Sequence, residues 1–528
     1  MRRLLLFLLI FASFFILWPH HNFQEYLAPG DHGRDLYAGQ AVLRGEAPYK
    51  DFWWVYGPAM PYYYGLCYKI FGAHITSLIA GKLILKLLAA LFLYLGLSLL
   101  ITPLGAFAAG LWFLIFHADF FFTYNHIAGI TALMAILWAL CAFIRQGHLR
   151  FIYLALGITF CLGLIKINFS LVALIIIALT ILTNDLFNRR PFTSPKKLLY
   201  LLTLLGVPLV LYAIYSYCLN GLSVMEIRQC LPYFHEDQPY NISIMQALGI
   251  FINTTWANIT SNWLNISFAL MLIASLLRCI TITWRQEAPK GEIKTLLFLL
   301  GLLSIFYIAN FHEFLKSGVW YRSYWSQPFS MALCFVLIDF ATRHSHGFFR
   351  KCAFGLIAVI ATFTLVSNVE KLQHLKTPQQ AFNLDGRSLY LTSQPTWINT
   401  VSQTTNFLRK TLKPEELFFA LPYDCLYYFL TGKPTPTRQL IFFDHIKIPL
   451  QQEKSIIAEL EKNKVNYVLI SSRAFARLEH GLGIFGQSYC PLIARYINDN
   501  FIPIARFGDW TNEPGWAWNH GTLILKRK

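Results

Sequence analysis

About eleven stretches of the chain stay apolar over close to the ~20 residues that a helix needs to cross a bilayer, and this leaves few architectures open. They run at roughly Leu4 to Trp18, Ile75 to Leu100, Pro103 to Phe116, His126 to Ile144, Phe151 to Ile165, Ile167 to Leu182, Leu198 to Leu219, Trp263 to Trp284, Thr295 to Phe311, Trp325 to Ala341 and Ala353 to Val369. Of 528 residues, 56% are hydrophobic and 13% charged, outside the range of a soluble globular domain. The reading is a polytopic α-helical membrane protein.

If the amino terminus, with Arg2 and Arg3, stays in the cytoplasm, the basic residues of alternate loops share that side. These are Arg145 and Arg150, then Arg189, Arg190, Lys196 and Lys197, then Arg285, Lys290 and Lys294, then Arg343, Arg350 and Lys351. An odd number of spans puts the carboxyl terminus outside. The net charge of +17 is then mostly a topology signal with some attraction to anionic lipid, and no basic tract interleaved with aromatics points to nucleic acid. The first run has the form of a signal peptide, but Trp18-Pro19-His20-His21 offers no small-residue cleavage site, so a retained anchor is expected.

After Val369, charges, prolines and turns replace the long apolar runs, which divides the chain into a membrane domain over 1–369 and a second domain over 370–528. In the second, Leu417-Phe418-Phe419-Ala420 and Val465 to Ile470 read as strands, and Gln451 to Lys464 as an amphipathic helix with Ile456, Ile457 and Leu460 on one face. That is an α/β layer outside the membrane. No glycine-rich phosphate loop supports nucleotide binding, and no cofactor is expected. The ten cysteines show no metal-ligand spacing; Cys425 and Cys490 are left open as a disulfide or two thiols.

The most informative polar segment follows the first span, in an outer loop over about 19–74. It runs Pro29-Gly30-Asp31-His32-Gly33-Arg34-Asp35, then through Leu43-Arg44-Gly45 and Pro48-Tyr49-Lys50-Asp51-Phe52 to Tyr56-Gly57-Pro58. Acids beside a bilayer are costly without a partner, and here Asp31 and Asp35 lie close to Arg34, Arg44 and Lys50. The combination points to chemistry on an anionic, membrane-held substrate. A turn or helix-capping role for Asp31 after Pro29-Gly30 is the plain competitor. Further along, Lys166 interrupts an apolar stretch, Arg322 sits in Tyr321-Arg322-Ser323-Tyr324-Trp325, and Asp119 lies in His117-Ala118-Asp119-Phe120 before Thr123-Tyr124-Asn125-His126. Lys82 and Lys86 share a face of the second span, with Lys82 within snorkelling reach of a lipid phosphate. His235-Glu236-Asp237 and His312-Glu313 lack a second spaced cluster, so they read as solvated loops and no metal is expected.

With these residues in view, the chain resembles the GT-C membrane glycosyltransferases. Asp31-His32-Gly33-Arg34-Asp35-Leu36-Tyr37-Ala38, the Gly45, Pro48-Tyr49, Asp51-Phe52 series, Gly57-Pro58 and Phe71-Gly72 are similar to that family's first outer loop. The similarity is greatest to the bacterial branch of aminoarabinose transferases and protein O-mannosyltransferase-like enzymes. Lys166-Ile167-Asn168-Phe169, Tyr321-Arg322 with Pro328, and Leu421-Pro422 with Tyr427 to Lys433 resemble later elements.

The resemblance implies a GT-C-like fold in a bacterial inner membrane with the carboxyl-terminal domain periplasmic. It also implies inverting transfer of a sugar from a polyprenyl-phosphate donor to a lipid, glycan or protein acceptor, with a first-loop acid as base. Asp31 occupies the matching position. Where much of the family has Asp-Glu, this chain has Asp31-His32, with a second acid at Asp35, which leaves open which carboxylate is the base. Lys166, Arg322 and either Arg34 or Lys316 are the cations available to a lipid phosphate, and Asp119 is available to the acceptor. A transporter or lipid flippase is the alternative, and would favour internal repeats that the chain does not display. A non-catalytic scaffold would leave Asp31 replaceable.

Overall fold

The structure is a computed structural model describing residues 1–17, 30–116, 124–187, 195–231, 242–345, 347–374, 380–384, 387–391, 395–476, 483–514 and 520–528. Among the described residues the regular elements of its first half are all helices: α1 (Arg2–Leu17), α2 (Asp31–Leu43), α3 (Ala59–Phe71), α4 (Ile75–Leu97), α5 (Pro103–Phe116), α6 (Tyr124–Gln146), α7 (Arg150–Ile165), α8 (Ile167–Phe187) and α9 (Pro195–Cys218). There follow α10 (Val224–Cys230), α11 (Ile244–Thr260), α12 (Trp263–Trp284), α13 (Lys290–Asn310), α14 (His312–Ser317), α15 (Gln327–Arg343) and α16 (Phe348–His374), with a 3₁₀ turn at Trp320–Trp325 before α15. Helices thus occupy the apolar runs. The segments Ile75–Leu97, Asn125–Gln146, Trp263–Trp284 and Lys290–Ser317 are long and apolar enough to cross a membrane.

The segment read as a polar loop contains two helices, α2 and α3. Its polarity hides a helix that is buried on most sides: from His32 to Gly39 every residue of α2 is buried, Arg34 and Asp35 included. Arg34 and Asp35 are tolerated there because they neutralise each other. Between α2 and α3, Trp54 Nε1 donates to the Gly57 carbonyl at 2.9 Å and Trp53 N donates to the Arg438 carbonyl at 2.7 Å.

The carboxyl-terminal part carries β1 (Gln380–Leu384) and β2 (Arg387–Leu391) as an antiparallel pair, then α17 (Pro395–Thr411), β3 (Phe418–Leu421), α18 (Cys425–Thr431), α19 (Leu450–Lys462), β4 (Tyr467–Ser471), α20 (Pro491–Asn500), β5 (Phe501–Phe507) and β6 (Thr522–Arg527). The sheet order is β3-β4-β6-β5, with β3 parallel to β4 and the other pairs antiparallel. Both parallel strands are buried along their whole length, as their uninterrupted apolar runs require. The expected amphipathic helix is α19, with Ile456 and Leu460 buried. Cys425 and Cys490 are both buried thiols, lying against the separate carbonyls of Leu440 and Phe442.

Candidate active site

Asp31 opens α2, and its side chain is 35% exposed, whereas that of Asp35, one turn on, is fully buried. Arg34 joins them. Its Nε and Nη2 donate to Asp35 Oδ1 at 3.0 and 2.8 Å, and its Nη1 donates to Asp31 Oδ1 at 3.1 Å. The Tyr423 hydroxyl, from the turn after β3, donates to the same Asp31 oxygen at 2.9 Å and accepts from Arg34 Nη1 at 3.1 Å. Burial pushes the Asp35 carboxyl up to about 6 against the opposing pull of Arg34. The guanidinium also lies 5.0 Å from the Trp54 ring and 5.1 Å from the Tyr56 ring, a cation–π setting on its remaining faces.

α2 reaches Tyr423 because Gly33 lets it. A Cβ there would come within 2.3 Å of the Leu426 backbone nitrogen at the start of α18. A second glycine, Gly57, brings the end of the α2–α3 segment onto α7: its N–H donates to the Ile165 carbonyl at 3.0 Å, and a Cβ would meet the Leu164 carbonyl.

That docking sets the first segment beside a second charged cluster. α7 ends at Ile165, and Lys166 adopts extended backbone before α8 begins. Its Nζ pairs with Glu313 Oε1 at 2.6 Å, both side chains being buried, and lies 4.6 Å from the Phe169 ring and 5.7 Å from that of Trp325. Asn168 Nδ2 donates to the same Glu313 oxygen at 2.7 Å and lies 3.0 Å from His312 Nε2. His312 Nδ1 is 2.8 Å from the Ala309 carbonyl, which can only accept, so Nδ1 carries the proton and Nε2 accepts from Asn168. His126 lies 4.0 Å from Glu313 Oε2 and stacks on Trp325 at 4.2 Å, with its ring edge to Tyr56 at 5.9 Å. The charge of Arg322 acts on both Lys166 and His126. Tyr56 therefore touches Arg34 on one side and His126 on the other, making the two clusters one connected site.

The structure brings together Asp31, Arg34, Asp35, Lys166 and Arg322. Lys82 is fully buried within α4. Asp119 lies outside the described residues. Reading His312-Glu313 as a solvated loop does not hold, because Glu313 is 7% exposed and is compensated by Lys166. Glu313, His126, Tyr56 and Tyr423 were not picked out as site residues; Phe311 and Phe314, three apart beside Glu313, are the signal of the buried helical turn that carries it. Among the described residues no three His, Cys, Asp or Glu side chains gather closely enough to hold a metal ion. A separate cavity of about 380 Å³, lined by Thr102, Arg145, Glu292 and Arg343 among others, lies at the other ends of α4, α6, α13 and α15 and takes no part in this cluster.

The arrangement has the GT-C fold. Over 98% of this chain and 97% of the other, it superposes at 12% identity and a TM-score of 0.59 on ArnT from Cupriavidus metallidurans solved with undecaprenyl phosphate. The apo form of the same protein gives 0.58. The arabinofuranosyltransferase AftD from Mycobacteria matches the whole chain at a TM-score of 0.50 and 12% identity, the match covering 40% of AftD. No protein-family profile and no curated protein sequence matches the chain.

Proposed function

We propose that the protein transfers a sugar from a polyprenyl-phosphate carrier to an acceptor at the periplasmic face of a bacterial inner membrane, by inverting displacement with Asp31 as base. In this reading the chain crosses the membrane about eleven times over 1–369, with the amino terminus in the cytoplasm and 370–528 forming a periplasmic α/β domain. The observation that carries it is the juxtaposition of a partly exposed carboxylate, Asp31, with the half-buried Arg322 and the buried Lys166–Glu313 pair, in a fold shared with a protein solved with undecaprenyl phosphate.

The acceptor hydroxyl or amine loses a proton as it attacks the anomeric carbon, and a positioned carboxylate takes it. Asp31 suits this: Oδ1 is held by Arg34 and Tyr423, and among the described residues Oδ2 accepts no hydrogen bond. Asp35 is the counter-ion that fixes Arg34, too deeply buried to meet substrate. Negative charge growing on the departing lipid phosphate is met by Arg322, which is only half-buried, with Lys166 behind it already neutralised by Glu313.

The test is sugar transfer or release from a panel of polyprenyl-phosphate sugars by the purified protein in lipid, comparing the parent with Asp31→Asn and Asp35→Asn. One donor turned over by the parent and lost with Asp31→Asn establishes both the reaction and the base. No turnover of any donor would sink the transferase and favour transport.

A further inference from the structure

β3 and β4 are parallel neighbours, so their carboxyl ends lie side by side, Leu421 opposite Ile470. In open α/β sheets such carboxyl ends are where ligands are bound. The turn after β3 supplies Tyr423 and Asp424, and the 3₁₀ turn after β4 supplies Arg473. Asp424 is 1% exposed. It occupies the position before α18 but does not cap that helix; Oδ2 instead accepts from Ser471 Oγ at 2.8 Å, and among the described residues Oδ1 accepts no hydrogen bond. Arg473 is 5% exposed, and among the described residues neither its Nε nor its Nη1 donates a hydrogen bond and the side chain forms no ion pair. The Tyr489 hydroxyl, buried in the same neighbourhood, likewise has no hydrogen bond among the described residues, and the charges of Arg473, Asp424 and Asp444 all act on it. Phe443 closes the group, with Arg473 5.1 Å from its ring and Tyr489 at 6.3 Å.

Buried donors and acceptors are ordinarily satisfied, and a buried guanidinium with idle N–H groups is costly. Four such atoms gather here with no hydrogen bond among the described residues, which leaves their bonding capacity to a ligand. The Arg473 guanidinium faces the Asp424 carboxylate, and Asp444 adds a second acid at the rim, so an anion is not what the set selects. A carboxylate that accepts, a guanidinium that donates, a phenol that does either and an aromatic wall match the hydroxyls and C–H face of a neutral sugar. The cluster reaches solvent at Asp444 and His445, both half-buried, with the His445 ring against Phe443. Its other side is Tyr423, whose hydroxyl holds Asp31.

We propose that Asp424, Ser471, Arg473 and Tyr489 form the acceptor subsite, and that it takes a neutral, hydroxyl-bearing glycan. This rests on the transferase reading for its role, though not for its binding chemistry. The test is saturation-transfer NMR on the full chain in lipid nanodiscs, with methyl glycosides of a neutral hexose, a neutral pentose and a uronic acid, and with inorganic phosphate as competitor. A neutral glycoside should bind, phosphate should not displace it, and Asp424→Asn or Arg473→Gln should weaken it roughly tenfold or more. If those variants do not fold, Ser471→Ala and Tyr489→Phe remove single hydroxyls and should each weaken binding several-fold. No bound neutral glycoside, affinity unchanged in the variants, or binding of the uronate alone would overturn the proposal. Glycoside binding without turnover of any donor would sink the transferase while leaving this site; turnover without glycoside binding would sink this site alone.

Discussion

Asp31 and Asp35 lie one turn apart on the same helix in opposite environments. The difference predicts a pH signature. The Asp35 carboxyl titrates at about 6 in the folded chain, against an ordinary value near 3.8, because burial disfavours its charge. The folded chain therefore holds a proton between about pH 4 and 6 that the unfolded chain has released. This site's contribution favours the folded state as pH falls through that window and is lost as pH rises above it. Protonation also loosens the hold on Arg34, so activity should fall on the acid side with a midpoint near 6. Thermal unfolding and rate profiles of Asp35→Asn should lack both slopes; an unchanged acid limb would show that another group sets it. Tyr423→Phe removes one hydroxyl that donates to Asp31 and accepts from Arg34, and should lower kcat roughly tenfold to a hundredfold with little loss of stability. Because the hydroxyl acts through Asp31, the loss should appear in kcat and in the pH profile rather than in KM.

At the level of elements, two close contacts decide whether the site is assembled. Gly33→Ala forces α2 away from α18 and should cost about 1–3 kcal/mol with loss of activity, while the Lys166–Glu313 pair stays intact. Lys166→Ala strands Glu313 as a buried, uncompensated charge, at about 3–5 kcal/mol. Replacing both residues by apolar ones should restore much of that stability and none of the activity, which separates packing from function. The same elements show what could be read from the chain alone. The apolar runs, β3 and β4 were legible as continuous apolar stretches whose lengths fit a span or a buried strand, and α19 because its apolar residues repeat with the helical period. Asp31, Arg34, Lys166 and Arg322 were legible because charges beside apolar runs are unusual. α2 was not, since a helix buried on most sides with an internal ion pair has neither an apolar stripe nor a polar one. Glu313 was missed because its partner lies far along the chain, and pairing over that distance leaves no local pattern.

Across the whole molecule, the buried side chains gather into two large clusters, and neither coincides with the change in composition near Val369. One joins α4, α6, α13 and α15 inside the helical bundle, through residues such as Leu93, Leu137, Leu299 and Phe329. The other begins with Leu36, Tyr37 and Tyr64 of α2 and α3 and runs without a break through Trp53 and Tyr423 into β3, β4 and α19. The helix bearing Asp31 therefore shares its core with the carboxyl-terminal sheet. A cooperative unit defined by shared packing opens together. Leu460→Ala, far from Asp31 in sequence but fully buried on α19 in that core, should destabilise the unit by about 2–5 kcal/mol. Hydrogen exchange on the full chain in lipid should then quicken in the amides of α2 together with those of β3 and β4, while α13 and α15 keep their protection. Quickening confined to β3, β4 and α19 would mean that α2 is held by the helical bundle, and that the Tyr423 contact with Asp31 joins two independent bodies.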